Sequence, residues 1–295
     1  MSFLEYYLQI LIFTAALPLG FGLAVYFCYR AFCSLVGVGR GRPILFFLHV
    51  MLTPIREFAH LVACIISFHR VGNFCLLNPY DPEGEIGFVE HSYNRKNPVA
   101  VFGNYLFAVL PAALGLFLSA VVVLVCFRGA FGELSREVAA LVEAGASFGD
   151  YASLALSFLT LMFRDATSSV FAKIVGCLLM LLISLGVYVS LDDLYSALSG
   201  MLLYGVLAAA FAGVTALFDA RARRLILKGF HTFATAITAL YTVVLVFAAV
   251  ALLLGFLVFL WRTLFGEGNA RAPVYVDTLP QVEEDNDDDY GDSRY

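Results

Sequence analysis

Three polar side chains that could carry out chemistry lie close together in an apolar stretch of the chain. They are Arg56, Glu57 and His60, within the segment MLTPIREFAHLVACIISFHR. Side chains three and four residues apart share one face of a helix, so all three would project from neighbouring positions. A charge at membrane depth costs at least about 2.5 to 3.5 kcal/mol on insertion scales, so each of these residues needs a partner or a role.

The spacing of this polar group is close to that of an H-E-x-x-H zinc site. In such a site two histidines one helical turn apart bind the metal, and the glutamate between them polarises the attacking water. Glu57 has the position of the glutamate and His60 that of the second histidine, but Arg56 stands where the first histidine is needed. Arginine is permanently charged and has no lone pair for a metal. Taken alone, the R-E-x-x-H pattern therefore favours a buried polar pair.

The composition places these residues in a membrane protein. Of the 295 residues, 61% are hydrophobic, and the mean hydropathy is +0.86. Several apolar runs reach the roughly 20 residues that a helix needs to cross a bilayer, and nothing indicates a nucleic-acid partner. We predict an all-α polytopic protein with a transmembrane domain over residues 1–265, whose six helices span about residues 5–31, 44–67, 99–127, 169–189, 194–218 and 231–263.

The segments around these helices carry further predictions. Pro54 lies in the middle of the second helix and could divide it into two half-helices, with Thr53 as an N-cap. Residues 70–98 contain apolar runs on either side of a cluster of turn formers, which predicts a small β-hairpin between helices two and three. An amphipathic helix is expected near ELSREVAALVEAG. The acidic residues 266–295 lack apolar periodicity and are predicted to form a disordered tail.

Two sets of small residues are interpreted as structural. Gly205, Ala209 and Gly213 have the four-residue spacing of a helix-packing stripe, which favours contact within the chain over dimerisation. The six cysteines lie mostly within apolar runs and show no C-x-x-C spacing, so neither a disulfide framework nor a thiolate zinc site is indicated. We interpret the cysteines as small core residues.

A wider pattern surrounds the polar group. It consists of TPIREFAHLVACIISFHRV, then GEIGFVEHSYNRKNP, then GNYLFAVLPAALG. This pattern resembles bacterial site-2-type intramembrane zinc metalloproteases, in which a Thr-Pro-x-His-Glu-x-x-His helix leads into a β-hairpin and a Gly-Asn helix. The resemblance implies an integral protein of the bacterial cytoplasmic membrane whose helices enclose a polar pocket. It places Glu57 on the catalytic base, His60 on a metal ligand and Arg56 on the missing ligand.

The resemblance also bears on residues beyond the motif helix. The third metal ligand in many such proteases is an aspartate in a Leu-Asp-Gly motif, and Asp192 is a loose match that lacks the glycine. Ser190, Asp192 and Asp193 together are more typical of a helix N-terminus. His91, in the stretch EHSYN, is interpreted as a loop or interface histidine, and Asn104 belongs to the Gly-Asn helix.

The arginine in the motif favours a pseudoenzyme. His60 and Asp192 alone are too few ligands for the three-ligand site of a catalytic zinc. A guanidinium could instead take the electrostatic place of the metal by binding a carboxylate. We therefore expect no cofactor and no stoichiometric zinc in the purified protein, and a larger loss of stability on removing Arg56 than on removing His60. The expected role is that of a regulatory or binding subunit, in contact with lipid and with another membrane protein or transmembrane peptide.

Two other functions stay open at this point. The first is an active zinc-dependent intramembrane protease with an altered ligand set of Glu57, His60 and Asp192. The second is a transporter or channel, since buried charges in helices can mark ion paths. Helices three to six carry few polar residues that could line such a path, so we rank it last.

Overall fold

The computed structural model describes residues 3–37, 42–79, 86–144, 148–186, 188–218 and 220–265. Over these ranges the chain is helical apart from short connections and an antiparallel pair of strands, in agreement with the predicted class. The predicted acidic tail, residues 266–295, lies outside the described residues. The helices are α1 (Phe3–Leu11), α2 (Leu17–Val36), α3 (Arg42–Ile66), α4 (Pro98–Cys126), α5 (Arg128–Ala144), α6 (Phe148–Arg164), α7 (Val170–Ser184), α8 (Leu191–Ala216) and α9 (Ala220–Leu264), the strands are β1 (Arg70–Cys75) and β2 (Phe88–Ser92), and a π-helical turn, Ile12–Ala16, joins α1 to α2.

Within the described ranges, five helical segments are long and apolar enough to cross a membrane. They are the continuous segment Phe3–Val36 and most or all of α3, α4, α8 and α9. The sixth crossing predicted from the sequence, residues 169–189, corresponds to the shorter helix α7. Its 15 residues extend about 22 Å, less than the roughly 30 Å of a hydrocarbon core. The prediction of six crossings therefore fails at α7.

The early end of α7 has a local cause. Leu185 and Gly186 turn back on the helix, and their amides donate to the carbonyls of Leu182 and Ile183. A Cβ placed on Gly186 would lie 2.8 Å from Cδ2 of Leu52, so the turn packs closely on α3. The apolar run continues through this turn, which is why hydropathy alone did not locate the end of the helix.

Two other helix boundaries differ from the prediction. α3 runs without a break through Thr53 and Pro54, so the two half-helices do not form. Neighbouring groups in a helix bundle can satisfy the carbonyl that a proline leaves without its donor. α9 begins at Ala220 instead of residue 231, and so includes the basic residues 221–228 that the sequence placed in a connection.

The C-terminal end of α3 is a Schellman turn. The amide of His69 donates to the carbonyl of Cys64 at 2.9 Å, and the amide of Phe68 donates to that of Ile65 at 3.4 Å. Phe68 has a φ of 58°, in the left-handed region that costs a non-glycine residue roughly 1–2 kcal/mol. The turn reverses the chain and brings His69 back towards the last turn of α3.

The predicted hairpin is confirmed between α3 and α4. β1 and β2 pair antiparallel, with Val71 opposite His91 and Phe74 opposite Val89. The register shifts between Val71 and Phe74, as at a β-bulge. The tip of the hairpin, residues 80–85, lies outside the described residues. This pairing places His91 beside the beginning of β1, directly after the Schellman turn.

α4 packs along α8, and a glycine permits the close approach. A Cβ placed on Gly200 of α8 would lie 2.5 Å from the backbone nitrogen of Tyr105 in α4. The small-residue stripe predicted from the sequence lies elsewhere. Among the described atoms, none comes within 4 Å of a Cβ placed on Gly213, and a Cβ on Gly205 would meet the Tyr7 hydroxyl at 3.5 Å. The interpretation of the stripe as a tight contact within the chain therefore fails at Gly213.

The amphipathic helix expected from the sequence is α5, and Asp165 connects its beginning to the link between α6 and α7. The Asp165 carboxylate accepts hydrogen bonds from the Gly129 amide at 3.0 Å, from both the amide and hydroxyl of Thr167, and from the Ser168 hydroxyl at 2.8 Å. Desolvation by burial raises the pKa of Asp165, but the hydrogen bonds from Thr167, Ser168 and Gly129 outweigh it and hold the pKa well below its usual range.

Asp165→Asn is therefore expected to lower the free energy of unfolding by about 1–3 kcal/mol at pH 7, since hydrogen bonds to a charged group are lost. The lowered pKa means that the carboxylate stabilises the fold above its ordinary pKa of about 3.9, and that this contribution is lost as the pH falls below it. Unfolding in detergent at pH 7 and pH 3 measures both effects. Glu133→Gln, which disrupts an exposed pair with Arg136, is the matched control and should change stability little. Equal effects of the two variants would contradict the role of Asp165.

Candidate functional site

The polar group predicted from the sequence lies where α3 meets the N-terminus of α8. His60 of α3 is buried there, and Glu57 of the same helix is also buried. α8 begins with a capping box, in which the Asp193 amide donates to Oγ of Ser190 at 3.0 Å and the Ser190 amide donates to Oδ2 of Asp193 at 3.1 Å. The capping box holds the Asp193 carboxylate, which is only 5% exposed, in a fixed position facing α3.

Arg56 contacts this carboxylate directly. Its Nη2 donates to Oδ2 of Asp193 at 3.3 Å, and its Nη1 donates to the Tyr188 hydroxyl at 3.3 Å. The guanidinium carbon also lies 5.3 Å from the centre of the Tyr188 ring, within the range of a cation–π contact. Nε2 of His60 lies 4.0 Å from Oδ1, the other carboxylate oxygen of Asp193. Asp193 thus lies between Arg56 and His60.

Asp193, the neighbour of the acid chosen from the sequence, contacts the motif. The structure places Asp193 against Arg56 and His60, while Asp192 is a half-buried residue of the first turn of α8. Successive residues of a helix point about 100° apart, so a choice between adjacent acids depends on the helix register. The capping-box spacing from Ser190 to Asp193 is the sequence signal that could have identified Asp193.

An aromatic layer that the sequence did not indicate supports the arginine. Tyr188, in the connection before α8, stacks on Tyr29 of α2 with ring centres 4.7 Å apart. The Tyr29 hydroxyl is in turn hydrogen bonded to Nε2 of His49 at 2.7 Å. His49 is therefore linked to Arg56 through two tyrosines. No spacing pattern in the sequence connects these residues, because they come from three separate segments.

His60 lies against a second set of rings. Its imidazole stacks on Phe107 with ring centres 3.9 Å apart, and Phe107 also contacts the His91 ring at 4.5 Å. One turn earlier in α4, Nδ2 of Asn104 donates to the Ser199 hydroxyl at 3.0 Å and so links α4 to α8. Of the two residues singled out in the sequence, His91 therefore lies near His60 through Phe107, and Asn104 joins α4 to α8.

A second group of ligand-type side chains lies at the end of α3. They are Cys64, His69 and His91, and one possible ligand atom from each lies within 4.8 Å of the ligand atoms of the other two. The His69 and His91 rings stack with centres 5.1 Å apart, and Nε2 of His69 lies 2.7 Å from the Ala100 carbonyl oxygen. Desolvation by burial, with a smaller effect of His69, lowers the pKa of His91 to about 4. Burial also lowers the pKa of His69, so both rings are neutral at pH 7.

The R-E-x-x-H motif does not fit a catalytic zinc. Such a site has three protein ligands and an open position. Here the positively charged group of Arg56 already binds the carboxylate that a metal would need, and His60 is the nearby imidazole. A cation placed between His60 and Asp193 would lie beside a guanidinium, which repels it.

The fold and this buried group define an α-helical protein of the membrane type, with an arginine–aspartate pair at the centre of its polar cluster. Comparisons with protein-family models, with curated proteins and with solved structures gave no match.

Proposed function

We propose that this chain is a non-catalytic membrane protein of the site-2-protease-like design, which binds a transmembrane segment of another protein as a regulatory or assembly subunit. The observation that carries the first half of the proposal is the contact of Arg56 with Asp193. The pair places a fixed positive charge where a protease of this design needs a metal ligand. Glu57 then has no metal-bound water to activate, so peptide hydrolysis is not expected.

The second half of the proposal concerns a groove between α1 and α8. The groove has a volume of about 510 Å³, and nearly all of its lining is apolar. Small residues on both sides, among them Ala15, Ala16, Gly205 and Ala209, leave room for a helix backbone to approach closely. Gly213 continues the same stripe with open space in front of it. A single apolar helix of a partner protein is the occupant that fits this surface.

The test is site-specific photo-crosslinking in native membranes. A photoreactive side chain at Val206, which lines the groove, is compared with one at Leu178 of α7. These two positions are matched in exposure, at 65% and 61%. The proposal expects that Val206 gives a discrete adduct with one membrane protein and that Leu178 gives none. The crosslinked partner should have its full length, because a non-catalytic protein does not cleave it.

Two results would contradict the proposal. The same diffuse lipid adducts from Val206 and Leu178 would show that the groove has no protein partner. Cleavage of the crosslinked partner, abolished both by a chelator and by Glu57→Gln, would establish the active protease that the sequence analysis left open.

A further inference from the structure

Cys64, His69 and His91 are brought together from three different elements. Cys64 is in the last turns of α3, His69 follows the Schellman turn, and His91 is in β2. Their spacing in the sequence fits no compact metal motif, but one ligand atom from each lies within 4.8 Å of the other two. The edge of a zinc tetrahedron with two imidazoles and a thiolate is about 3.5 Å, so small side-chain rotations would close the group on an ion.

The hydrogen bonding of His69 leaves one ring nitrogen ready for a metal. A carbonyl oxygen accepts but cannot donate, so Nε2 of His69 carries the proton that is shared with Ala100. Nδ1 then holds a lone pair. It is buried, and no hydrogen-bond partner for it exists among the described residues. Metal-binding histidines commonly have this arrangement, in which the second ring nitrogen donates to a backbone carbonyl.

The other two side chains have a matching environment. Nδ1 of His91 is also buried and makes no hydrogen bond of normal geometry within the described part of the chain. Cys64, the third member of the same group, is fully buried. A buried polar atom without a partner costs about 1–3 kcal/mol, so two such atoms within one group need an explanation. Bonds to a metal would satisfy both nitrogens.

We propose that Cys64, His69 and His91 bind a divalent transition metal ion of the Zn²⁺ class, which fastens the β-hairpin to the end of α3. Cys64 binds as the thiolate, and its proton leaves to solvent as the metal–sulfur bond forms. Both imidazoles bind as neutral ligands. Three protein ligands leave a fourth position for water.

This site shares no ligand with the R-E-x-x-H motif, although the Phe107 ring contacts both His91 and His60. The expectation of no stoichiometric zinc in the purified protein was drawn from the motif alone, and a metal bound by Cys64, His69 and His91 would depart from it. The metal content of the wild-type protein does not tell whether a bound ion lies at the motif or at the Cys64, His69 and His91 group. Variants of each site are needed to distinguish them.

The experiment titrates Co²⁺ into the full-length protein, purified in detergent after chelation under reducing conditions. Co²⁺ is the probe because thiolate coordination gives a charge-transfer absorption band that imidazole ligands alone do not produce. The proposal expects the band to saturate at about one ion per chain, and bound metal to fall at least about tenfold in Cys64→Ser, His69→Gln and His91→Asn. Cys126→Ser and His60→Asn, which alter other buried residues, should leave the band unchanged.

The wild-type titration is decisive even if a variant fails to fold. Absence of the thiolate band at stoichiometric Co²⁺ would overturn the proposal. So would a band that survives Cys64→Ser, or one that His60→Asn removes. As a second readout, Co²⁺ should raise the thermal unfolding temperature of the wild type and of Cys126→Ser, but not that of His91→Asn.

Discussion

Arg56→Ala is expected to lower the free energy of unfolding by about 3 kcal/mol or more, because it leaves the buried Asp193 carboxylate without its cation. Asp193 is 5% exposed, so its carboxylate has little contact with water in the folded protein. The Tyr188 hydroxyl and ring lose the same partner. The side chain of Arg56 is itself 21% exposed, so the ion pair is partly solvated. The expected loss of stability therefore lies at the low end of the range for buried pairs. Unfolding by a denaturing detergent, followed by circular dichroism, measures the loss.

His60→Ala is the comparison for this variant and should cost less. Nε2 of His60 is 4.0 Å from Asp193, beyond hydrogen-bond distance, and its Nδ1 has no hydrogen-bond partner among the described residues. The substitution removes the stacking on Phe107 but leaves no charge uncompensated. A loss from His60→Ala equal to or larger than that from Arg56→Ala would contradict the assigned role of the arginine.

A double variant separates loss of the ion pair from loss of packing. Arg56→Met keeps most of the side-chain volume, and Asp193→Asn keeps an oxygen that can accept from the Ser190 amide. The double variant removes both charges together, so it should recover much of the stability that Arg56→Met alone loses. Additive losses would show that the two residues do not interact.

Gly200→Ala is expected to destabilise the protein by about 1–3 kcal/mol, because the added methyl group would overpack the contact of α8 with α4. The new Cβ would lie 2.5 Å from the backbone nitrogen of Tyr105 and 2.9 Å from the carbonyl oxygen of Val101. Backbone atoms in a helix cannot move aside as a flexible side chain can. The two helices would have to separate, and the Asn104–Ser199 hydrogen bond beside the contact would lengthen.

Gly213→Ala is the matched control in the same helix. No described atom lies within 4 Å of its new Cβ, so stability in detergent should stay the same or rise slightly through the better helix propensity of alanine. The same unfolding assay measures both variants. A loss from Gly213→Ala as large as that from Gly200→Ala would mean that Gly213 has a tight partner within the chain, as the sequence pattern had indicated.

The sequence was sufficient for the elements whose signal is local. Long apolar runs located α3, α4, α8 and much of α9, and the turn formers between apolar runs located the hairpin. The errors arose where hydropathy continues across a real boundary. Leu185 and Gly186 extend the apolar run of α7 although they form a turn, and the basic residues 221–228 interrupt hydropathy although α9 passes through them.

The candidate site was less predictable because its residues meet through tertiary contacts. Arg56, Glu57 and His60 share one helix and could be found by spacing. Identifying the acid that contacts Arg56 required the exact start of α8. The capping box between Ser190 and Asp193 fixes that start and turns Asp193 towards α3. Tyr188 is positioned by the connection before α8, for which no spacing rule exists.

The metal-ligand group was missed for a related reason. Cys64 has the surroundings of an ordinary core cysteine in the sequence, and His91 is 27 positions further along the chain. Only the left-handed turn at Phe68 and the pairing of β1 with β2 bring the two residues together with His69.

In the proposed function, the Arg56 guanidinium takes the place of a metal ion at the motif. The most direct measurement is the zinc content of the purified protein in a Cys64→Ser, His91→Asn background, which removes the other proposed metal site. With Arg56 intact this background should contain no stoichiometric zinc, and adding Arg56→His should introduce about one zinc per chain, held with His60 and Asp193. Stoichiometric zinc with Arg56 intact, lost on His60→Ala, would contradict the claim.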